Sequence, residues 1–507
     1  MEPDMSATAS ARDRGQGTGL AREAIGLREV LFQSITHMAP AAAVAFSIIV
    51  GANFAGGALP LAVVLALVAC LFVAVSIGQL AKHLPSAGGF YTYTSRGLHP
   101  SVGFIVAFAY ALAEAFVAPL LYLIFGNVVA GTLNTEFGWS YDAWWVISAI
   151  AAALFVFVLG YLGVGISTRT GTVLGIFEIA VFAALAFWLI VKADGANTLS
   201  VFTTSHANVE GFQGISGLAA GSIFTILAFI GFEAAAPMAE EAKNPRRTIQ
   251  LAVFWSALGI GIFYVFTTYA ATVYFGPDKM AQFPAYGNNN PWDGMARAVW
   301  GAGWVLVFLA IANSAVANAN AGANATTRTW YALGRIRLLP SALTRLHPER
   351  RSPVVAVTAQ LIFALVMALW LGWKYTPLTA FALIATIVTA IVIVIYILVD
   401  LACIVFYLRH ARSEFNVMLH LVFPVLGILA FLPAFFTALG IGQSVLSFVS
   451  PLPYPLSLAG PVVLVWFAIG LIYLAWLAAR HPERIRDTGR VFIDEPDTIT
   501  APGTFEP

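Results

Sequence analysis

Three carboxylic acids stand where this sequence has little room for charge. Glu114, Glu178 and Glu233 each fall inside a long apolar run. An ionisable side chain at membrane depth costs a few kcal/mol on insertion scales, so each acid needs a partner or a use. Glu114 lies about eleven residues into its run, near the midplane. A carboxylate in a low-dielectric cavity attracts an ammonium group strongly. It is therefore a candidate for recognising a substrate amine, against the plainer reading of an acid bonded to a neighbouring helix. Glu233 follows Gly231 closely and is a candidate for proton exchange. The alternative is a structural acid that caps exposed helix ends. Glu178 lies about eight residues from one end of its run, from which it could snorkel to the interface. His37 is a lone membrane histidine and is read as an interhelical donor rather than a relay. Asn313, Asn320 and Asn324 are spaced seven and four and share one helix face, with Ser314 and Asn318 nearby. Such amides mark either a wet cavity or, for most of them, helix glue.

No enzyme chemistry accompanies these groups. The chain has no H-E-x-x-H helix and no Walker motif. Cys70 and Cys403 both lie inside apolar runs, so neither a disulfide framework nor a zinc site follows. No catalytic residue, metal ligand or cofactor is expected. The ion that such buried acids would exchange is read as a proton, with sodium as the other choice.

The elements that position these residues are membrane helices. The 507 residues are 60% hydrophobic and only 10% charged, far too little polar surface for a soluble fold of this length. Unbroken apolar runs also exclude a β-barrel, whose strands alternate. Cutting at these runs gives twelve spans, at about 30–53, 59–80, 103–130, 143–166, 170–191, 214–239, 249–275, 301–327, 353–373, 378–408, 415–438 and 458–479. Of the 26 Lys and Arg residues, all but Lys192, Lys279, Arg297 and Lys374 then fall on one side. Cationic loops stay in the cytoplasm, so both termini are placed there. The net charge of +1 implies no nucleic-acid partner. The lipid bilayer is the expected surrounding, and no protein partner is evident.

Spans 1 and 6 are each interrupted near the midplane. Span 1 carries Ala39-Pro40-Ala41, and Pro40 lacks the amide that a helix interior needs. Span 6 carries Phe229-Ile230-Gly231-Phe232. Breaks at mid-membrane are tolerated where they are buried or line a cavity. Breaks in corresponding helices of two halves point to a transporter site. Spans 1–5 and 6–10 are the halves, and an odd number of helices per half makes them inverted. A channel would instead show a filter loop or a charged pore ring, and neither is visible.

Three segments carry a family likeness. They are His83-Leu84-Pro85-Ser86-Ala87-Gly88-Gly89-Phe90-Tyr91-Thr92-Tyr93, Pro100-Ser101-Val102-Gly103-Phe104, and Gly231-Phe232-Glu233-Ala234 with Glu240-Glu241-Ala242-Lys243-Asn244-Pro245-Arg246-Arg247. Together they resemble the amino acid–polyamine–organocation transporters over about residues 25–410. Met38-Ala39-Pro40, and Glu114 followed by Ala118-Pro119, look most like the branch with putrescine importers. The resemblance implies an all-α, LeuT-type five-plus-five inverted repeat with substrate held at the two breaks and two peripheral helices. It implies that Glu114 faces the substrate and that Glu233 serves gating or proton coupling. It also implies that an ionisable group near Glu178 replaces a sodium ion. Two departures stand out. Many relatives have a glycine-rich first break, where this chain has Ala39-Pro40-Ala41. Asp400 stands where relatives often carry Asn, and no function is attached to it.

The expected organisation is a disordered tail at 1–29, a ten-helix core at 30–408 with repeats at about 30–191 and 214–408, two peripheral helices at 409–479, and a tail at 480–507. The expected function is a plasma-membrane secondary transporter of an amino acid or small amine. Proton symport is the leading form, an exchanger the alternative, and a membrane-embedded enzyme the reading from another class. The charge split yields a direct check. A cysteine probe at Ser140 should react from outside the cell and one at Ser341 should not. The opposite pattern would refute this topology.

Overall fold

The computed structural model describes residues 25–86, 88–163, 168–239, 242–350, 352–443, 446 and 448–486. Most of the two expected tails, and the pair Glu240-Glu241, lie outside the described residues. The described chain is already structured before residue 30. Ile25 pairs with Ala242 in a parallel bridge, and the first helix starts at Leu27.

The helices follow in order as α1 (Leu27–His37), α2 (40–50), α3 (Leu59–His83), α4 (Phe90–Gly97), α5 (Pro100–Ala115) and α6 (Val117–Phe137). Next come α7 (Tyr141–Leu162), α8 (Thr168–Ala193), α9 (Ile215–Phe229), α10 (Phe232–Met238, a 3-10 helix) and α11 (Pro245–Phe275). Then follow α12 (Pro291–Trp300), α13 (Trp304–Arg335), α14 (Val354–Tyr375), α15 (Pro377–Arg409), α16 (Phe423–Leu439), α17 (Ala459–Arg480) and α18 (Pro482–Arg486). The one sheet among the described residues is a hairpin of β1 (Asn208–Val209) and β2 (Phe212–Gln213).

Eleven stretches among the described residues are long and apolar enough to cross a membrane. Expected spans 1 and 2 fall together in one 57-residue run, Leu27–His83. That run is interrupted at Ala39 and again by a 3-10 turn at Gly56–Ala58. The protein is thus a multi-pass, all-helical membrane protein.

Two loops hold more structure than their sequence suggests. The segment 276–300, left between spans 7 and 8 and carrying Asn288-Asn289-Asn290-Pro291, contains a 3-10 helix at Pro277–Ala285 and then α12. Pro291 starts α12, and Trp292, Met295 and Ala296 bury one face of it. The segment between spans 2 and 3 folds as α4. Span 8 also runs on to Arg335 rather than stopping near 327.

The packing repeats itself with an exchange of partners. α1 lies on α11 while α9 lies on α3, and α3 and α11 run along each other. Thr225 of α9 donates to the Ala62 carbonyl of α3 at 3.2 Å. Span 1 on span 7 and span 6 on span 2 is the pairing an inverted repeat requires. Burial grades outward from here. The window of the stretch Ile215–Met238 is 94% buried and that of Leu456–Arg480 only 17%. The last helix is therefore peripheral, as expected.

Both breaks sit in the buried centre and touch. Ala39 takes a left-handed conformation at φ 47°, rare for a residue with a Cβ. Beyond Pro40 the helix resumes, with a π turn at Ala43–Ser47. In span 6, Ile230 is extended and Gly231 adopts φ 122°. A Cβ on Gly231 would sit 2.7 Å from the carbonyl carbon of His37. Backbone conformation and space thus both demand glycine there. Gly231→Ala should destabilise the fold by roughly 2–4 kcal/mol. A detergent thermal midpoint within about one degree of the parent's would contradict this contact.

Candidate substrate and coupling site

A helix broken in an apolar medium must find partners for its freed carbonyls. Here one side chain serves both breaks. The Tyr264 hydroxyl of α11 lies 2.9 Å from the Met38 carbonyl and 3.0 Å from the Ala228 carbonyl. Its single proton is shared between the two. Glu233 caps the second break by accepting from the Gly231 amide at 3.0 Å. Ser34 of α1 accepts from the Ala235 amide at 3.1 Å. The broken helices are thereby tied to each other as well as to α11.

Next to this junction lies a cavity of about 50 Å³, room for a few water molecules. Ala39, Ala42, Ala43 and Ser47 line it from the first broken helix, and Leu227, Ala228 and Ile230 from the second. Val117, Leu120, Leu121 and Ile124 of α6, Asn318 of α13, and Phe381 and Val388 of α15 complete the wall. The lining is mostly aliphatic. Its polar members are His37, Ser47, Asn318 and the open backbone, and the Asn318 Oδ1 makes no hydrogen bond.

The acids gather beside this cavity rather than in its wall. His37 lines the cavity, and its Nε2 is 3.8 Å from Glu114 Oε2. Glu233 exerts its charge on His37 and on Glu114. All three side chains are buried, and Glu114 Oε2 has no hydrogen bond. Tyr110 faces Glu114, and Tyr396 faces Glu233. Two carboxyl groups and an imidazole out of water form a set in which a proton or an ammonium can offset the like charges. His37 is thus more than an interhelical donor, since it joins the cavity to the acid pair.

Glu178 sits elsewhere, between spans 1, 5 and 8. It accepts from the Asn313 amide at 2.5 Å and lies against the Ala41 backbone. It points inward, so snorkelling does not describe it. Asn313 acts as glue between two helices. Asn324 lines a separate small cavity with Tyr122 and Gln360. Of the expected site residues, Ala39 and Ile230 line the main cavity. Phe229 and Phe232 turn instead to the rings of Tyr264 and Tyr396, at 5.3 and 5.6 Å between centroids. Pro40, Ala41 and Gly231 shape the breaks. The α6 and α15 wall went unpredicted, because aliphatic residues in an aliphatic span give no signal. Only Pro119, which follows a break in span 3 at Phe116, marked that region.

α12 packs on the first broken helix beyond the cavity. Trp292 is buried and donates its indole N–H to the Val44 carbonyl, inside the π turn of the first broken helix, at 3.1 Å. Asn127 of α6 holds the approach to α12, donating to the Asn289 carbonyl and to Asn290. Arg297 ties α12 to Glu136 of α6 and stacks 3.6 Å from the Trp304 ring centroid.

This combination of fold and site is that of a membrane transporter, and comparison with known proteins places it further. Residues 25–474 match the family model described as amino acid permease, so the chain belongs to that family. It is a permease and not an enzyme. The low-affinity putrescine importer PlaP of Escherichia coli is 26% identical over 460 residues, covering 90% of this chain and 93% of that protein. The branched-chain amino acid permease BcaP of Lactococcus lactis is 26% identical over 411 residues, covering 76% and 83%. Among solved structures, the Eremococcus coleocola manganese transporter superposes with a TM-score of 0.53 at 15% identity, covering 91% of this chain and 94% of that one. That likeness supports the inverted-repeat transporter fold.

Removing the shared hydroxyl should loosen the junction. Tyr264→Phe leaves two buried carbonyls without their donor and should cost about 1–3 kcal/mol. Parent-like thermal stability of purified Tyr264→Phe protein would show that the carbonyls have other partners.

Proposed function

We propose that this permease is a secondary transporter of an amino acid or small amine, driven by protons, that works by alternating access with both termini in the cytoplasm. The observation that carries the reading is the buried set of His37, Glu114 and Glu233, placed where the two broken helices meet and beside the cavity. The aliphatic wall suits a hydrocarbon chain, whether an amino-acid side chain or the methylenes of a diamine. The substrate ammonium docks at the His37 end, where Glu114 offsets its charge. A substrate carboxylate docks at the open amides of a broken helix. Glu233 exchanges the coupling proton, and Glu178 is the second coupling group, joined to Asn313 and the Ala41 backbone. The printed names of the two similar permeases, one for putrescine and one for branched-chain amino acids, are consistent with either substrate class.

Proteoliposome uptake of L-amino acids and putrescine, under imposed proton or sodium gradients, tests each element. Uptake should rise with an inward proton gradient. A dependence on sodium alone would overturn the proton assignment. Glu114→Gln should weaken binding of the transported compound about tenfold or more, because it removes a buried charge partner. Glu233→Gln should weaken coupling to the pH gradient while the protein remains folded. Unchanged affinity in Glu114→Gln would remove this residue from the site.

A further inference from the structure

One buried acid is unused by the mechanism above. Asp400 of α15 is fully buried, and no charged side chain faces it among the described residues. Its Oδ1 accepts from the Ser76 hydroxyl of α3 at 2.5 Å. Its Oδ2 has no hydrogen bond and points at α16, where a Cβ on Gly427 would come within 2.6 Å. Cys403, on its own helix, is the titratable group beside it. α3 presents Ser76, and α16 presents only backbone at Gly427.

Structural glue needs far less than this. An amide at position 400 would also accept from Ser76 while placing its NH2 where Oδ2 now lies, so glue alone does not call for an ionisable group. An acid differs from an amide in that it can carry a proton.

Polar side chains are spaced between Asp400 and one end of the helices, with a one-turn step from Ser76 to Gln79 that water would have to bridge. Ser76, Gln79 and Lys82 follow one another at three-residue steps along one side of α3. Gln79 Oε1 accepts from Lys82 at 2.8 Å and lies 3.3 Å from His420 Nε2. The Asn416 amide donates to His420 Nδ1 at 2.9 Å, so the ring proton sits on Nε2 and is donated to Gln79. The Tyr407 hydroxyl donates to the Gln79 carbonyl at 3.0 Å, and its ring stacks on His420. The series ends at His83 and Glu414, which are 3.2 Å apart and exposed to solvent. In the other direction α15 reaches the coupling site. Tyr396 lies one turn before Asp400 and faces Glu233, and Val388 lies in the cavity wall.

We propose that Asp400 is a further proton-binding residue of the transport cycle, beyond Glu233 and Glu178, filled and emptied along the Ser76–Gln79–His420 side of α3 from the face that carries His83 and Glu414. Loading moves a proton from hydronium to a carboxylate oxygen of Asp400, leaving water and a neutral carboxyl. Unloading returns that proton to water. The helix that walls the cavity then also carries a proton load, and the outer helix α16 becomes part of the coupling machinery. This rests on the proton-driven reading given above.

The test uses full-length protein in proteoliposomes, with radiolabelled L-amino acids and putrescine as probes and a one-unit pH gradient. Each coupled proton contributes about tenfold to steady-state accumulation under such a gradient. Asp400→Asn should therefore lower accumulation by about tenfold, while gradient-free counterflow stays within about twofold of the parent. Parent-like accumulation in Asp400→Asn would overturn the proposal and leave the acid a structural one. A parent that itself ignores the pH gradient would overturn the proton-driven reading instead. If Asp400→Asn does not fold, Gln79→Leu and His420→Phe decide. Slower gradient-driven uptake with intact counterflow supports this route, and parent-like uptake in both sinks it.

Discussion

Inside a bilayer a peptide group without a partner has no water to turn to, and the architecture here follows from that constraint. Breaking two helices at the same depth exposes carbonyls and amides in a place where each costs several kcal/mol. The chain meets this cost with a few side chains. Tyr264 serves Met38 and Ala228, Glu233 serves Gly231, Ser34 serves Ala235, and Trp292 serves Val44. Each donor or acceptor arrives from another part of the chain or from just beyond the break. Opening the helices and joining them are therefore a single act. The open backbone that can receive a substrate exists only while its neighbours hold it.

The same logic places the charges. His37 and Glu233 belong to the breaks themselves, and Glu114 reaches them from span 3 just before that helix is interrupted at Phe116. Irregular backbone and ionisable side chains thus share one location, because both need shelter from lipid. Glu178 follows the rule at a second place, against the restarted half of span 1. Where the helices are unbroken, as in α7 and α17, many apolar side chains are exposed as lipid contact requires.

Much of this was readable in the residues. Long apolar runs announce membrane helices, and Pro40 and Gly231 announce breaks, because each acts through backbone chemistry that does not depend on context. The acids announced themselves by their rarity. What could not be read was direction. Phe229 and Phe232 stand beside the second break, yet their rings pack on Tyr264 and Tyr396. Leu121, Ile124 and Phe381 line the cavity and look in sequence like any lipid-facing residue. The helical folding of 291–300 was hidden behind a run of asparagines and a proline, whose turn preference ended just where α12 begins. The approach of His37 to Glu114 joins helices distant in sequence, which no local pattern marks.

The wall of the cavity has a bearing on selectivity. Most side chains in it are hydrocarbons, and a hydrocarbon surface distinguishes one guest from the next only by area. A methylene buried there is worth about 0.8 kcal/mol, close to fourfold in affinity. Guests that differ by one carbon will therefore be ranked in small steps rather than accepted or refused. Sharp refusal requires a polar group that one guest satisfies and another leaves stranded. In this cavity the polar side chains are Asn318, His37 and Ser47. On the proposed reading of this cavity as the substrate site, chain length would be graded and strictness kept for the head group.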